Sequence, residues 1–186
     1  MPNVYCFGGP NGAGKTTLAL KLLPALGVKH FVNADLIAKG LSPLDVSLAQ
    51  LAAGRLMLQR LNELKQSGED FGFESTFASN MATKFLDELS SKGWTTHLVF
   101  VWLSSAELAI ERVEVRVESG GHFVEDETIR RRYNKGLQRL REYLGKEMNV
   151  TVFDNSGEAY EIVVRRKNGI LRVMQPAIWR EVNDAR

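Results

Sequence analysis

The strongest constraint on this chain lies near its start, where a short apolar run leads into a glycine-rich segment. The segment is Gly9-Pro10-Asn11-Gly12-Ala13-Gly14-Lys15-Thr16, which fills every fixed position of the pattern G-x-x-x-x-G-K-[ST], with Thr17 behind it. Residues 4–7 ahead of the segment predict a strand, and residues 17–23 after it predict a helix. A strand, a glycine-rich loop and a helix in this order are typical of a phosphate-binding P-loop.

The residue types of this segment suit the binding of ATP with Mg²⁺. Its glycines let phosphates approach the backbone N–H groups closely, and the helix that follows directs its N-terminus to the same place. Lys15 offers a positive charge to the β- and γ-phosphates, and Thr16 offers a hydroxyl to Mg²⁺. We therefore predict that residues 9–17 bind ATP, that Lys15 also acts in catalysis, and that Thr16 is the metal ligand.

Size and charge narrow the class of protein. A chain of 186 residues is long enough for one domain with a substantial core, and we expect residues 1–186 to form a single domain. The single cysteine, Cys6, fits a reducing cytoplasm, which is where we expect the protein. No apolar stretch reaches membrane-spanning length. The formal net charge of +2 argues against a broad nucleic-acid-binding surface, although it is compatible with a local basic patch.

Predicted strands alternate with predicted helices over the first 155 residues. The strands are expected at residues 3–8, 30–32, 71–73, 96–103 and 150–153. This alternation predicts an α/β fold, a three-layer sandwich of the P-loop NTPase type with a mostly parallel five-stranded sheet. Two later extended segments flank Asn168-Gly169, which predicts a small C-terminal hairpin at about residues 158–175.

Three helix predictions depend on local patterns. Residues 44–66 are predicted to be helical, with an apolar face formed by Leu48, Leu51, Leu58, Leu61 and Leu64. Residues 112–118 alternate like a strand, yet residues 104–107 match a capping box, so we predict a helix there. Asp126 is predicted to cap the long helix that follows.

Polar side chains follow the predicted strands at the edge of the sheet where ligands bind. Asp35 comes after the second strand, and we predict that it is the catalytic base that deprotonates an acceptor hydroxyl. The alternative is a helix N-cap. Asn33, Glu74 and Thr76 are predicted to bind the substrate, and a cap of the following helix is the alternative for residues 74–76. The strand at 96–103 is not followed by Asp, which favours a small-molecule kinase over a mechanical or switching ATPase.

Arginines flank a glycine break that we predict to be a kinase-like lid at about residues 118–125. Arg112 and Arg116 are four residues apart and share one face of a helix, and further arginines follow the break. We predict that Arg116 is catalytic and that Arg112, Arg131 and Arg132 bind the nucleotide phosphates. A solvated, salt-bridged surface is the alternative, because glutamates are interleaved with these arginines.

Four motifs, taken in order, resemble those of the zeta toxin-like kinases. They are the P-loop segment, residues 32–35, residues 73–76, and the stretch from Arg112 through the glycines to residue 133. The resemblance covers about residues 3–156. It implies transfer of phosphate from ATP to a hydroxyl of UDP-N-acetylglucosamine, with Lys15 and Thr16 holding ATP and Mg²⁺ and Asp35 as the base. It also implies that Glu74 and Thr76 lie on the substrate side, that Arg116 or Arg112 contacts the phosphates, and that an antitoxin is a partner. No clear counterpart of the toxins' second lid arginine is present, and Arg131 or Arg132 is the candidate to replace it.

Three functions remain open from the sequence. The first is a kinase that phosphorylates a small-molecule hydroxyl, such as that of a nucleotide sugar. The second is a nucleic-acid end kinase, against which the near-neutral charge argues. The third is a nucleotide-dependent switch or a toxin–antitoxin interaction protein without metabolic kinase activity, which would bind ATP without phosphorylating an acceptor.

A lid at residues 118–125 should respond to nucleotide. We expect amide hydrogen exchange in this segment to be fast without nucleotide and to slow when an ATP analogue binds, because two adjacent glycines separate its basic flanks. Equal protection in both states would contradict the lid.

Overall fold

The fold is described from a computed structural model, which describes residues 1–118, 121, 123–146 and 148–184. The sequence-predicted Ser119, Gly120 and His122 of the lid lie outside the described residues. The strands are β1 (Asn3–Gly8), β2 (His30–Val32), β3 (Phe71–Glu74), β4 (Thr95–Trp102), β5 (Asn149–Asp154), β6 (Glu161–Lys167) and β7 (Ile170–Val173). The α-helices are α1 (Lys15–Ala25), α2 (Ala34–Leu41), α3 (Gln50–Ser67), α4 (Asn80–Ser91), α5 (Ala106–Glu118), α6 (Asp126–Leu144) and α7 (Pro176–Asp184).

The seven strands form one sheet in the order β2-β3-β1-β4-β5-β6-β7. The first five in this order pair in parallel, and β6 and β7 add antiparallel at the free edge of β5. The predicted α/β class is therefore confirmed. The expected count of five strands is corrected to seven, because the C-terminal hairpin continues the sheet through β6.

Helices cover the two faces of the central strands. On one face, the Leu23 side chain of α1 packs over Gly72 of β3. On the other face, the ring of Phe85 from α4 meets Phe73 at 5.6 Å, and Tyr143 of α6 meets Phe77 at 5.7 Å. The strands of this central region are apolar on both faces because both faces are buried. Among the described residues, no helix combines the length and the apolar character that crossing a membrane requires.

Two local predictions about helices are corrected. The apolar face predicted for residues 44–66 is right for Leu61 and Leu64, but Leu48, Leu51 and Leu58 are 79%, 71% and 49% exposed. The buried positions of α3 are Ala53, Met57, Leu61 and Leu64. In the first half of α3 the side chains that face the core are therefore those of Ala53 and Met57. The spacing of leucines alone does not identify the buried face there.

The caps of α5 and α6 also differ in detail from the prediction. The helix predicted for residues 112–118 is confirmed as part of α5, and its N-terminus is capped by Ser105, whose Oγ accepts from the Leu108 N–H at 3.0 Å. Ser104 instead uses its N–H to donate to Ser156 Oγ at 2.9 Å. Asp126 is the first residue of α6, and Glu125 holds the cap position without a side-chain hydrogen bond.

Two glycines of α3 provide a matched test of its C-terminus. Gly68 ends the helix with a φ of 71°, whereas Gly54 lies inside it, and an added Cβ has open space at both positions. We expect Gly68→Ala to destabilise the protein by about 1 kcal/mol, because alanine is strained at positive φ. We expect Gly54→Ala to stabilise it by up to about 1 kcal/mol, because alanine favours a helix interior. Urea unfolding measures both, and equal signs would contradict this account.

Candidate active site

The P-loop lies between β1 and α1 at the carboxyl edge of the parallel strands. Its conformation needs glycine at crowded positions with positive φ, Gly9 and Gly14 among them. Gly9 has a φ of 136°, and a Cβ there would collide with the backbone carbonyl oxygen of Val101. Gly14 has a φ of 86°, and a Cβ there would collide with the side chains of Tyr160 and Asn155. The loop is therefore held against β4 on one side and against the segment before β6 on the other.

Lys15 lies inside the loop and is only 5% exposed. Its Nζ donates to the backbone carbonyl of Pro10 at 2.8 Å and lies 3.5 Å from Oε1 of Glu74. An ammonium buried this deeply needs such partners, because an unpaired charge is costly away from water. The lysine side chain thus folds back onto the loop, at the place where the sequence predicts phosphate binding.

A carboxylate network joins the P-loop to the ends of β2 and β3. Thr16 Oγ1 donates to Glu74 Oε2 at 2.6 Å, and Asn33 Nδ2 donates to the same oxygen at 2.7 Å. Asn33 Nδ2 also lies 3.3 Å from Thr16 Oγ1. Because β1, β3 and β2 are neighbours in the sheet, their carboxyl ends bring together residues far apart in sequence. Glu74 and Asn33 therefore contact the predicted metal ligand, Thr16, directly.

Asp35 lies in the first turn of α2, and it is not the cap of that helix. Asn33 is the cap, since its Oδ1 accepts from the Leu36 N–H at 3.1 Å. Asp35 is exposed and lines a cleft of about 420 Å³ whose other lining residues include Asn11, Gln50 and Arg132. The capping alternative for Asp35 is therefore excluded, and its carboxylate is open to a molecule in this cleft.

Arg132 lines the same cleft. Its Nη1 donates to Oδ1 of Asn11 in the P-loop at 3.2 Å. The pKa of the Arg132 guanidinium is lowered, chiefly because the group is buried. The charge of Asp35 acts to raise this pKa, and the charge of the neighbouring Arg131 acts to lower it. A carboxylate and a guanidinium thus flank one cleft beside the P-loop.

The rear of the P-loop is held by residues that follow β5. Asn155 Nδ2 donates to the Ala13 carbonyl at 2.9 Å, and the Tyr160 hydroxyl donates to the Gly14 carbonyl at 2.8 Å. Burial raises the pKa of the Tyr160 hydroxyl. A hydrogen bond with Thr17 and the charge of Arg112 reduce the size of this rise. No local sequence pattern predicts a role for Tyr160, because its contact with Gly14 spans 146 residues.

The remaining predicted site residues lie around this centre. Arg112 Nη2 donates to the carbonyls of Ser156 at 3.2 Å and Gly157 at 3.3 Å. Arg116 is half-buried near the end of α5, where its carbonyl accepts from the Gly121 N–H at 2.8 Å. Arg131 is exposed, with its Nη2 3.4 Å from the Thr128 hydroxyl. Thr76 is half-buried beyond β3. The guanidinium of Arg112 thus reaches the loop after β5, while its Cβ lies beside Gly12 of the P-loop.

A wider cleft of about 1060 Å³ lies elsewhere, lined by residues such as Trp102, Glu107, Arg130, Tyr133 and Arg141. None of residues 9–17 lines it. We place the candidate active site at the P-loop because the phosphate-binding backbone, the buried lysine and the cleft with Asp35 all meet there.

Comparison with known sequences supports the resemblance seen in the motifs. The family model described as zeta toxin matches residues 1–169. An uncharacterized protein of Haemophilus influenzae is 30% identical over 129 residues, which cover 69% of this chain and 89% of that protein. A cytidylate kinase of Natronomonas pharaonis is 24% identical over 183 residues, covering 91% of this chain and 86% of that one.

Solved structures share the fold. A chain of the AvrRxo1-ORF1:-ORF2 complex with ATP superposes with a TM-score of 0.79 at 13% identity, covering 98% of this chain. This chain spans only 64% of that one. A chain from the PezAT toxin–antitoxin system of Streptococcus pneumoniae superposes with a TM-score of 0.71 at 16% identity, covering 100% of this chain and 80% of that one. With the family model matching residues 1–169 of 186, this chain belongs to the zeta toxin family.

Proposed function

We propose that this protein is an ATP-dependent phosphotransferase that transfers the γ-phosphoryl group of ATP to a hydroxyl of a small molecule. The observation that carries the proposal is the arrangement around Glu74. Its carboxylate contacts both Lys15 and Thr16, and the cleft lined by Asp35 opens beside the same loop. A phosphate-binding centre and a candidate base therefore adjoin each other, as phosphoryl transfer to a hydroxyl requires.

Residues 9–17 would hold the ATP phosphates. The backbone N–H groups of the loop and the N-terminus of α1 favour an anion at this position. The buried Lys15 would add a full positive charge at the β- and γ-phosphates. ATP is supported as the donor by the family and by the ATP complex of the structural neighbour.

Thr16 and Glu74 would hold Mg²⁺ together with phosphate oxygens and water. Their oxygens are 2.6 Å apart and are the hard ligands that Mg²⁺ prefers. The described residues contain no group of three or more His, Cys, Asp or Glu side chains able to hold a metal. That fits an ion held largely by its nucleotide, which when bound would neutralise charge on the phosphates. Glu74 would thereby supply the carboxylate that β4 lacks, a role nearer the metal than the predicted substrate contact.

Asp35 would accept the proton from the acceptor hydroxyl. It is exposed to the cleft, and general-base catalysis needs a carboxylate within reach of the reacting hydroxyl. Arg132 would stabilise negative charge on the transferred group, because it contacts Asn11 of the P-loop while Arg131 faces Thr128. Arg116, at the end of α5, remains a candidate for the same role.

For the acceptor, we propose a nucleotide sugar such as UDP-N-acetylglucosamine, and for a protein partner, an antitoxin. Membership of the zeta toxin family supports the acceptor, and a structural neighbour from a toxin–antitoxin system supports the partner. A nucleotide-dependent switch would instead bind ATP and leave every acceptor unmodified.

Incubation with labelled ATP and a panel of acceptors tests the activity. We expect label on a small-molecule hydroxyl in the presence of Mg²⁺, with UDP-N-acetylglucosamine the first candidate. We expect Lys15→Ala to abolish transfer and weaken ATP binding, because it removes the buried cation from the phosphate site. Lys21→Ala is the matched control, since Lys21 is exposed on the same helix. Unchanged turnover in Lys15→Ala would contradict the proposed phosphate site.

Asp35→Asn tests the base. We expect acceptor phosphorylation to fall by about 10²–10⁴-fold, because asparagine cannot accept the proton. ATP affinity and the melting temperature should change little, because Asn33 rather than Asp35 caps α2. Glu114→Gln removes another exposed carboxylate, on α5, and should keep full activity. A folded Asp35→Asn protein with normal turnover would exclude Asp35 as the base.

A further inference from the structure

One face of the sheet is uncovered beyond β4. The valines that point to the α6 side of β5 and β6 are fully buried, namely Val150, Val152 and Val164. The alternating residues on the opposite face are not: Thr151 and Phe153 are half-buried and Arg165 is exposed. On this opposite face, Leu22 of α1 and Leu26, the C-cap of that helix, border the uncovered part. We propose that this open face binds single-stranded nucleic acid.

Two aromatic rings lie on the open face. Tyr5 of β1 and His97 of β4 are stacked, with ring centroids 4.5 Å apart and planes 10° apart. They line a pocket of about 300 Å³ together with Phe153, Leu22 and Leu26. A pocket lined by several aromatic rings suits another flat aromatic group.

Cations form the wall of the same face. Arg165 of β6 is paired with Thr151 on one side and with Arg172 of β7 on the other, which puts all three on the open face. Lys167 lies two residues after Arg165 in β6. Burial lowers the pKa of His97, and the charge of Lys167 lowers it further. Arg165 and Lys167 also line an adjoining cleft of about 310 Å³ with Arg172.

The two clefts carry positive charge that acids do not balance. Among the described residues that line them, there is no Asp or Glu. The acid whose charge reaches Tyr5 and His97 is Asp70. Its carboxylate already accepts from the N–H and from the side-chain amide of Asn3, at 2.7 and 2.9 Å. The exposed cations of β6 and β7 are therefore available to an anionic ligand.

A nucleic-acid strand matches both features. Its bases stack on aromatic rings, and its phosphates pair with arginine and lysine. An acidic peptide would use the cations but not the stacked rings. A duplex hides the faces of its bases, so the strand must be single. From β1 to β7 the face spans five strands, about 19 Å at the usual spacing, which exceeds one nucleotide.

This surface is distinct from the candidate active site. His97 and Lys167 lie beside Asn149 at the amino end of β5, whereas the P-loop lies at the carboxyl edge of the sheet. The inference therefore does not depend on the proposed function, and it calls only for a local basic patch on a chain of net charge +2.

Fluorescence anisotropy with labelled oligouridine and oligothymidine of about 12 nucleotides tests the surface at low salt. We expect both to bind the wild-type protein, and Arg165→Ala/Arg172→Ala to weaken binding by about tenfold or more and to reduce the salt dependence by about 1.4 in log–log slope. Arg60→Ala/Lys84→Ala removes two exposed charges from α3 and α4 and should have little effect. His97→Leu should weaken binding by about tenfold through loss of stacking.

Several outcomes would overturn the inference. One is the absence of binding to either oligonucleotide by a protein whose melting temperature is normal. Others are an equal loss in the control pair, or normal binding by His97→Leu, which would reduce the site to charge alone. Equal affinity for inorganic polyphosphate, for uridine monophosphate or for a duplex of the same length would also contradict recognition of a single strand.

Discussion

The carboxylate of Glu74 is the interaction on which the candidate site depends. Its side chain is only 12% exposed, and it is contacted from two separate parts of the chain, by Lys15 and Thr16 of the P-loop and by Asn33 after β2. A carboxylate removed from water is stable only when charge and hydrogen bonds compensate for lost solvation. The end of β3 is thereby fastened to the P-loop and to the start of α2. The geometry of the phosphate site follows from this attachment.

Asn33 extends that attachment to the cleft. Its amide nitrogen donates to Glu74, while its amide oxygen caps α2 at Leu36. One side chain therefore fixes both the orientation of α2 and its distance from the P-loop. Asp35, two residues later, is carried on the first turn of the same helix. The candidate base is thus positioned by the same network that holds Lys15 and Thr16, at the same edge of the sheet.

The sequence was sufficient to predict those features that depend on short, local residue patterns. The P-loop, the parallel strands and the polar residues at their carboxyl ends follow from short patterns, and the family assignment followed from four such motifs in order. It was insufficient where the determining contact is distant. Asn155 and Tyr160 contact Ala13 and Gly14 across more than 140 residues, and no local pattern encodes such a pairing. The leucines of α3 show the same limit, because periodicity alone does not say which apolar face finds a partner.

The C-terminal hairpin connects these distant contacts. Tyr160, just before β6, supports the P-loop at Gly14, and Arg166 within β6 donates to the carbonyls of Leu144 and Lys146 at 2.6 and 2.7 Å. Those carbonyls lie at the end of α6, and a cation there also favours the helix dipole. Since α6 carries Arg132 to Asn11, one short segment supports both the rear of the P-loop and the helix on its open side.

Alternation along β6 explains how the same hairpin can also form a second surface. Arg166 faces α6, while Arg165 and Lys167 face away from it. A hairpin that contacts the P-loop from one end and α6 from one face leaves its other face free, and that free face is the one lined by cations.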